Sequence, residues 1–195
     1  MKDYRKILMY FNFWRTLFFY YLCLNSKYSD KVKQDLSVWK KRENRITAYS
    51  DLKAFSWLAM NTKEFRNVML NRLHNNKFSY VICRILFKPL DSLYINMPPE
   101  KIGGGLYIQH GFSTVIAANE IGENCSINQQ VTIGFVGKNA PVIGNGVSIT
   151  AGSIVIGNVH IGDNAFIGAG SVVTHDVAEN DTVVGVPAKP IKKKS

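Results

Sequence analysis

Between Ile102 and Val173 an aliphatic residue returns every six positions over most of the stretch. Ile143, Ile149, Val155, Ile161, Ile167 and Val173 form one unbroken series, and Val115, Ile121, Ile127 and Ile133 form another. A period of six matches neither the 3.6 of a helix nor the 2 of an ordinary strand, and it marks an internal structural repeat. Small and turn-forming residues follow the aliphatics, as in Ile143-Gly144-Asn145-Gly146 and Ile161-Gly162-Asp163-Asn164. Gly and Asn tolerate positive φ, so the chain can turn a corner after each short strand. The pattern predicts a β-solenoid with three flat sides per coil, its aliphatics pointing inward and its backbones pairing above and below.

The repeat breaks twice, because Ile108 to Val115 is seven residues and Ile133 to Ile143 is ten. Extra residues must leave the coil, and protruding segments on a rigid scaffold are where sites tend to lie. His110 falls in the first break, and Phe135 to Ala140 form the second. After Val173 the repeat is expected to stop, with residues 175–181 as a capping turn and Thr182 to Ala188 as a last strand.

Upstream the pattern is helical. Residues 7–24 are the most apolar run, with aromatics at Tyr10, Phe11, Phe13, Trp14, Phe18 and Tyr21 crowding more than one face. Such crowding favours burial between neighbouring helices or subunits, and a peripheral membrane contact is the alternative. Arg15 and Asn12 inside the run, with no small-residue cleavage site after it, argue against a membrane span or a signal peptide. Residues 28–46 read as a charged connecting helix or loop on the surface. Residues 50–73 return to helical spacing after the Ser50-Asp51 start signal, and Tyr80 to Phe87 form a third apolar run that Pro89 ends. These readings divide the chain into a helical domain (1–92), a β-helix (93–176), and a C-terminal strand with a basic tail (177–195).

The chain has 24 Lys and Arg against 14 Asp and Glu, and the excess lies in the first half: residues 1–101 hold 19 against 8. No zinc-finger spacing or helix-turn-helix pattern accompanies it, so a solvated basic surface is expected and no nucleic acid. Cys23, Cys83 and Cys125 are scattered, odd in number and without metal spacing, as suits reduced thiols in a cytoplasmic protein. His160 and His175 lack the local spacing of a metal site, and no metal is expected.

Gly105-Leu106-Tyr107-Ile108-Gln109-His110-Gly111, Val131-Thr132-Ile133-Gly134, Ile167 to Val173 and Gly185-Val186-Pro187-Ala188-Lys189 follow one another in an order and spacing that resemble the hexapeptide-repeat acyltransferases, most of all the serine acetyltransferase branch. The resemblance covers roughly residues 93–191. It implies a left-handed parallel β-helix, acetyl-CoA as co-substrate, a hydroxyl-bearing small molecule or glycan as acceptor, and a homotrimer with its sites between subunits, alone or paired into a dimer of trimers through the N-terminal helices.

Acetyl transfer from a thioester to a hydroxyl needs a base to take the hydroxyl proton, and a neutral imidazole suits that task. The resemblance places the base at His110. It places the coenzyme arm along Ala151, Gly152, Ala169 and Gly170, and the coenzyme phosphates near Lys189 and Lys192. Gln109, Glu100 and Asn128 are the acceptor-side candidates, with Gln129 and Gln130 as further polar groups. Two positions depart from the branch. Ile95 stands where the acidic partner of the base belongs, leaving Glu100 or Glu120 as substitutes, and Asn139-Ala140-Pro141 on a shortened loop lacks the branch's second histidine. These losses point to a sugar or glycan hydroxyl as acceptor. The alternatives are a serine O-acetyltransferase of cysteine biosynthesis and a scaffold that has lost its chemistry.

Overall fold

The computed structural model describes residues 10–191, and the chain divides into two compact units, Met1–Leu90 and Asp91–Ser195.

The first unit contains α1 (Phe13–Leu24), α2 (Ser29–Arg42), α3 (Asp51–Asn61), α4 (Lys63–Arg72) and α5 (Lys77–Leu86). Its centre is aromatic. Phe19 packs edge-on against Phe55 at 5.3 Å and stacks on Phe87 at 4.9 Å, while Phe65 meets Phe55 at 5.2 Å and Trp39 at 5.5 Å. Residues 28–46 differ from the surface connection expected of them. Val32, Asp35, Leu36 and Trp39 fall on one stripe of α2 and are buried. The stripe was hidden in the sequence because Asp35 belongs to it. Its carboxylate accepts from Arg72 Nε at 2.9 Å and Nη2 at 3.3 Å, with both side chains fully buried. α1 also differs: Thr16, Phe19 and Cys23 face the core, but most of the other aromatics are exposed within this chain. Residues 7–9 of that apolar run lie outside the described residues.

The second unit is a left-handed parallel β-helix with three sides. The first side stacks β1 (Leu93–Ile95), β3 (Thr114–Ile116), β6 (Thr132–Gly134), β9 (Ile154–Ile156) and β12 (Val172–Val173). The second stacks β4 (Glu120–Ile121), β7 (Val142–Ile143) and β10 (His160–Ile161). The third stacks β2 (Tyr107–Ile108), β5 (Ser126–Ile127), β8 (Ser148–Ile149), β11 (Phe166–Ile167) and β13 (Thr182–Val184), with β14 (Lys189–Pro190) antiparallel on β13. Ile121, Ile127, Ile133, Ile143, Ile149, Val155, Ile161, Ile167 and Val173 are all buried, as the period of six requires. Burying each such side chain contributes about 1.5–3 kcal/mol.

Two expectations change. Val115 is 38% exposed, and its neighbour Ile116 takes the inward place, in register with Ile133. Strand alternation allows only one of two adjacent residues to face in, and more residues leave the preceding corner than the count to Val115 implied. The coil also continues beyond Val173, since buried Val177 bridges to Ile161 and buried Val183 pairs with Ile167.

Candidate active site

The corner that joins the third side to the first repeats in successive coils and is where the predicted site residues gather. It takes three residues in the later coils: Asn128 to Gln130, Thr150 to Gly152, and Gly168 to Gly170. The last residue of each has positive φ, 59° at Gln130, 71° at Gly152 and 68° at Gly170. The backbone N–H of Gly152 donates to Gln129 O at 3.1 Å, and that of Gly170 to Ala151 O at 2.9 Å. In the first coil the same corner runs from Gln109 to Ser113, and Ser113 has the φ of 52° that corresponds to Gln130. Gln130 N–H donates at 3.0 Å to Phe112 O, which sets Phe112 above Gln129. His110 and Gly111 are therefore the two additional residues of that corner.

His110 is exposed on this bulge and itself has φ 57°. A left-handed conformation at a residue with a Cβ costs on the order of 1–2 kcal/mol. Strain of this kind concentrates at functional positions.

Beyond the coil of Asn128 to Gln130 the corner is lined by small residues. Ala151 and Gly152 are half-buried, and Ala169 and Gly170 one coil further are exposed. A methyl placed on Gly152 would come no closer than 3.9 Å to Gly170, and one placed on Gly170 would meet nothing within 4 Å. The result is an open channel at these two coils, which lie one spacing of about 4.8 Å apart. The C-terminal segment returns to this corner: Gly185 N–H donates to Ser171 Oγ at 3.2 Å, Val172 N–H to Gly185 O at 3.0 Å, and Ala188 N–H to Val172 O at 2.8 Å. Lys189 follows on β14 and is exposed. Lys192 lies outside the described residues.

Gln109 and Asn128 stack in adjacent coils of the corner, because β2 and β5 pair in register and Gln109 N–H donates to Ile127 O at 2.9 Å. Gln129, in the middle of the corner, has its Oε1 buried with no hydrogen-bond partner among the described residues. Counting residues between inward positions would have placed it beneath the bulge. The other polar candidates occupy different corners or sides. Glu100 sits in the turn Pro99–Lys101 between the first and second sides, and Glu120 is exposed on the second side. Ile95, at the end of β1, lies over Ile116.

The shortened loop is a tight hairpin at the corner between the first and second sides. Val136 N–H donates to Asn139 O at 2.9 Å, and Asn139 N–H to Val136 O at 3.2 Å. Ala140 is buried, and its carbonyl accepts from Asn119 Nδ2 at 2.9 Å. Burial pushes the Cys125 thiol up to about 11 and the Cys83 thiol up to about 12, so neither supplies a thiolate nucleophile at neutral pH. Among the described residues no group of three or more His, Cys, Asp or Glu is arranged to hold a metal ion.

A solenoid with a histidine bulge above an open groove of small residues is the architecture of a β-helix acyltransferase. The bacterial transferase hexapeptide (six repeats) family pattern matches residues 140–175. The serine acetyltransferase of Helicobacter pylori is 39% identical over 133 residues, 64% of this chain and 77% of that protein. That of Synechococcus elongatus is 44% identical over 99 residues, 48% of this chain but only 41% of the relative's length. The crystal structure of Neisseria gonorrhoeae serine acetyltransferase superposes with a TM-score of 0.64 and 29% identity over 92% of this chain and 79% of that one. A serine acetyltransferase solved in complex with CoA gives 0.59 and 25%, over 84% and 69%. The chain belongs to the serine acetyltransferase family, acetyl-CoA-dependent O-acetyltransferases built on hexapeptide repeats.

Proposed function

We propose that this chain moves the acetyl group of acetyl-CoA to the hydroxyl of L-serine, with His110 as general base. The observation that carries the reading is the placement of His110 on a two-residue bulge at the same corner as the small residues Ala151, Gly152, Ala169 and Gly170, with the coil of Asn128 to Gln130 between them. A coenzyme arm lying in that groove would bring its thioester to the imidazole, with its phosphates toward Lys189 and Lys192. His110 would take the hydroxyl proton as the oxygen attacks the thioester carbonyl, and the imidazolium would return it to the departing thiolate. Gln109, Asn128 and the unfulfilled Gln129 Oε1 supply acceptor-side polarity, the last suited to an ammonium N–H. L-serine is favoured because the matched relatives are serine acetyltransferases.

The site would be completed in a trimer. Glu100 and the hairpin at 135–140 border a different corner from His110 within one chain, so they meet His110 only if a second copy brings its corner alongside. Sedimentation at micromolar concentration tests this, and a stable monomer would exclude it.

A sugar or glycan hydroxyl is the second reading, favoured by one specific feature. Ile95 and the buried Ala140 offer no side-chain hydrogen bond where a small zwitterion needs fixed partners, and each unpaired group costs roughly 1–3 kcal/mol. The relative kcat/KM of L-serine and a panel of amino sugars and nucleotide sugars decides between the two. A clear preference for L-serine supports the main reading, and a clear preference for a sugar replaces it.

A further inference from the structure

The helical unit has an apolar face that stays uncovered among the described residues. On α1 it consists of Trp14 (67% exposed) and Tyr21 (62%), with Leu17 and Phe18 between them, and Phe11 (83%) just before the helix extends it. On α5 it consists of Phe78 (76% exposed), Val81 and Ile85 (77%), one stripe at helical spacing. The two helices are packed together: Phe19 of α1 stacks on Phe87 just after α5, Arg15 lies 5.1 Å from that ring, and its guanidinium donates to Leu86 O. A soluble chain rarely leaves aromatic surface of this extent open without a partner for it.

The charge around the face selects the partner. Residues 10–29 and 65–90, which contain both helices, carry no Asp or Glu, whereas Lys27, Lys77 and Arg84 are exposed at their ends. The unit as a whole holds 18 Lys and Arg against 6 Asp and Glu in residues 1–90. A second copy applied to this face would set cations against cations with no carboxylate from either stretch to separate them. An anionic bilayer surface supplies what the face lacks, a hydrocarbon boundary for Phe and Ile and phosphate headgroups for the cationic rim. Trp14, Tyr10 and Tyr21 have the apolar body and polar tip that favour the headgroup boundary. Among the described residues no helix is long and apolar enough to cross a membrane, so the contact would be peripheral. We propose that the α1–α5 face docks the protein on anionic membrane surfaces.

Trp14 is a built-in reporter, since Trp39 and Trp57 are buried. The full chain is mixed with vesicles of phosphatidylcholine containing about a third phosphatidylglycerol, and with phosphatidylcholine alone, and binding is read by Trp emission and co-sedimentation. Binding to the anionic vesicles with a blue shift, at least about tenfold weaker on neutral vesicles and weakened by 0.5 M salt, is expected. The double variant Phe78→Glu/Ile85→Glu should lose about tenfold or more in vesicle affinity while retaining its far-ultraviolet spectrum and acetyl transfer. Absence of vesicle binding by the parent protein overturns the proposal, as does unchanged affinity in the folded double variant. A third contrary result is a parent protein whose Trp14 emission is already blue-shifted without lipid and whose mass the double variant halves, because a second copy would then be the occupant.

Discussion

Replacing Ala169 with leucine probes the groove without touching the base. Ala169 is exposed, and its neighbour Gly170 has open space where a Cβ would lie, so the larger side chain can be accommodated without repacking the solenoid. It would instead occupy the channel. Leucine adds three carbons, and a coenzyme arm displaced from an equal length of wall loses about three methylene contacts at about 0.8 kcal/mol each. The sum, about 2.4 kcal/mol, corresponds to roughly 50-fold weaker binding. Calorimetric titration with CoA gives the affinity directly, the KM for acetyl-CoA should rise in parallel, and thermal melting should show a change in Tm of no more than a few degrees. Ala178→Leu, on an exposed position elsewhere, is the control and should leave CoA affinity unchanged. An Ala169→Leu protein that binds CoA within twofold of the parent would show that the coenzyme does not use this corner.

Three further outcomes follow from buried, hydrogen-bonded and stacked groups. Asp35→Ala removes the carboxylate that pairs with the fully buried Arg72 guanidinium and should destabilise the helical unit by about 3–5 kcal/mol, measured by urea unfolding; a loss under about 1 kcal/mol would contradict the pairing. In the solenoid, Asp163 accepts from Asn145 N–H at 2.7 Å, and that hydrogen bond holds its carboxyl below the usual range. A depressed folded pKa gives stability that is present above the unfolded value of about 3.9 and is lost as pH falls through it toward the lower folded value. Asp163→Asn should therefore flatten the decline of Tm below about pH 4, and an identical acid profile would remove Asp163 from that dependence. Phe19→Ala, which empties the ring stack on Phe55 and Phe87, should cost about 3–5 kcal/mol in the same unfolding assay.

The solenoid was legible because its period is carried by single residues at fixed spacing, and one coil's register dictates the next. The bulge was only half legible. Its existence follows from the broken count, but its size depends on whether Val115 or Ile116 faces in, which strand pairing decides and the six-residue count does not. The continuation through Val177 and Val183 was missed for a related reason: Val177 arrives four residues after Val173, so the interval shortens while the inward column persists. α2 was misread because the partner of Asp35 lies 37 residues away on α4, and periodicity within one segment carries no trace of such a contact. The groove was legible only through the family resemblance, whereas Gln129 was legible as one polar candidate among several and the burial of its Oε1 was not.

The decisive measurement is release of free thiol from acetyl-CoA in the presence of L-serine, by the parent protein and by His110→Ala side by side, with CoA affinity determined for both. The expected result is L-serine-dependent turnover by the parent, a fall in kcat of roughly 10²–10⁴-fold in the variant, and CoA binding nearly unchanged between them. Near-full activity in the His110→Ala protein would contradict the assignment of the base, and a parent that binds CoA yet turns over with neither L-serine nor any sugar hydroxyl would contradict the proposed acetyl transfer by this chain.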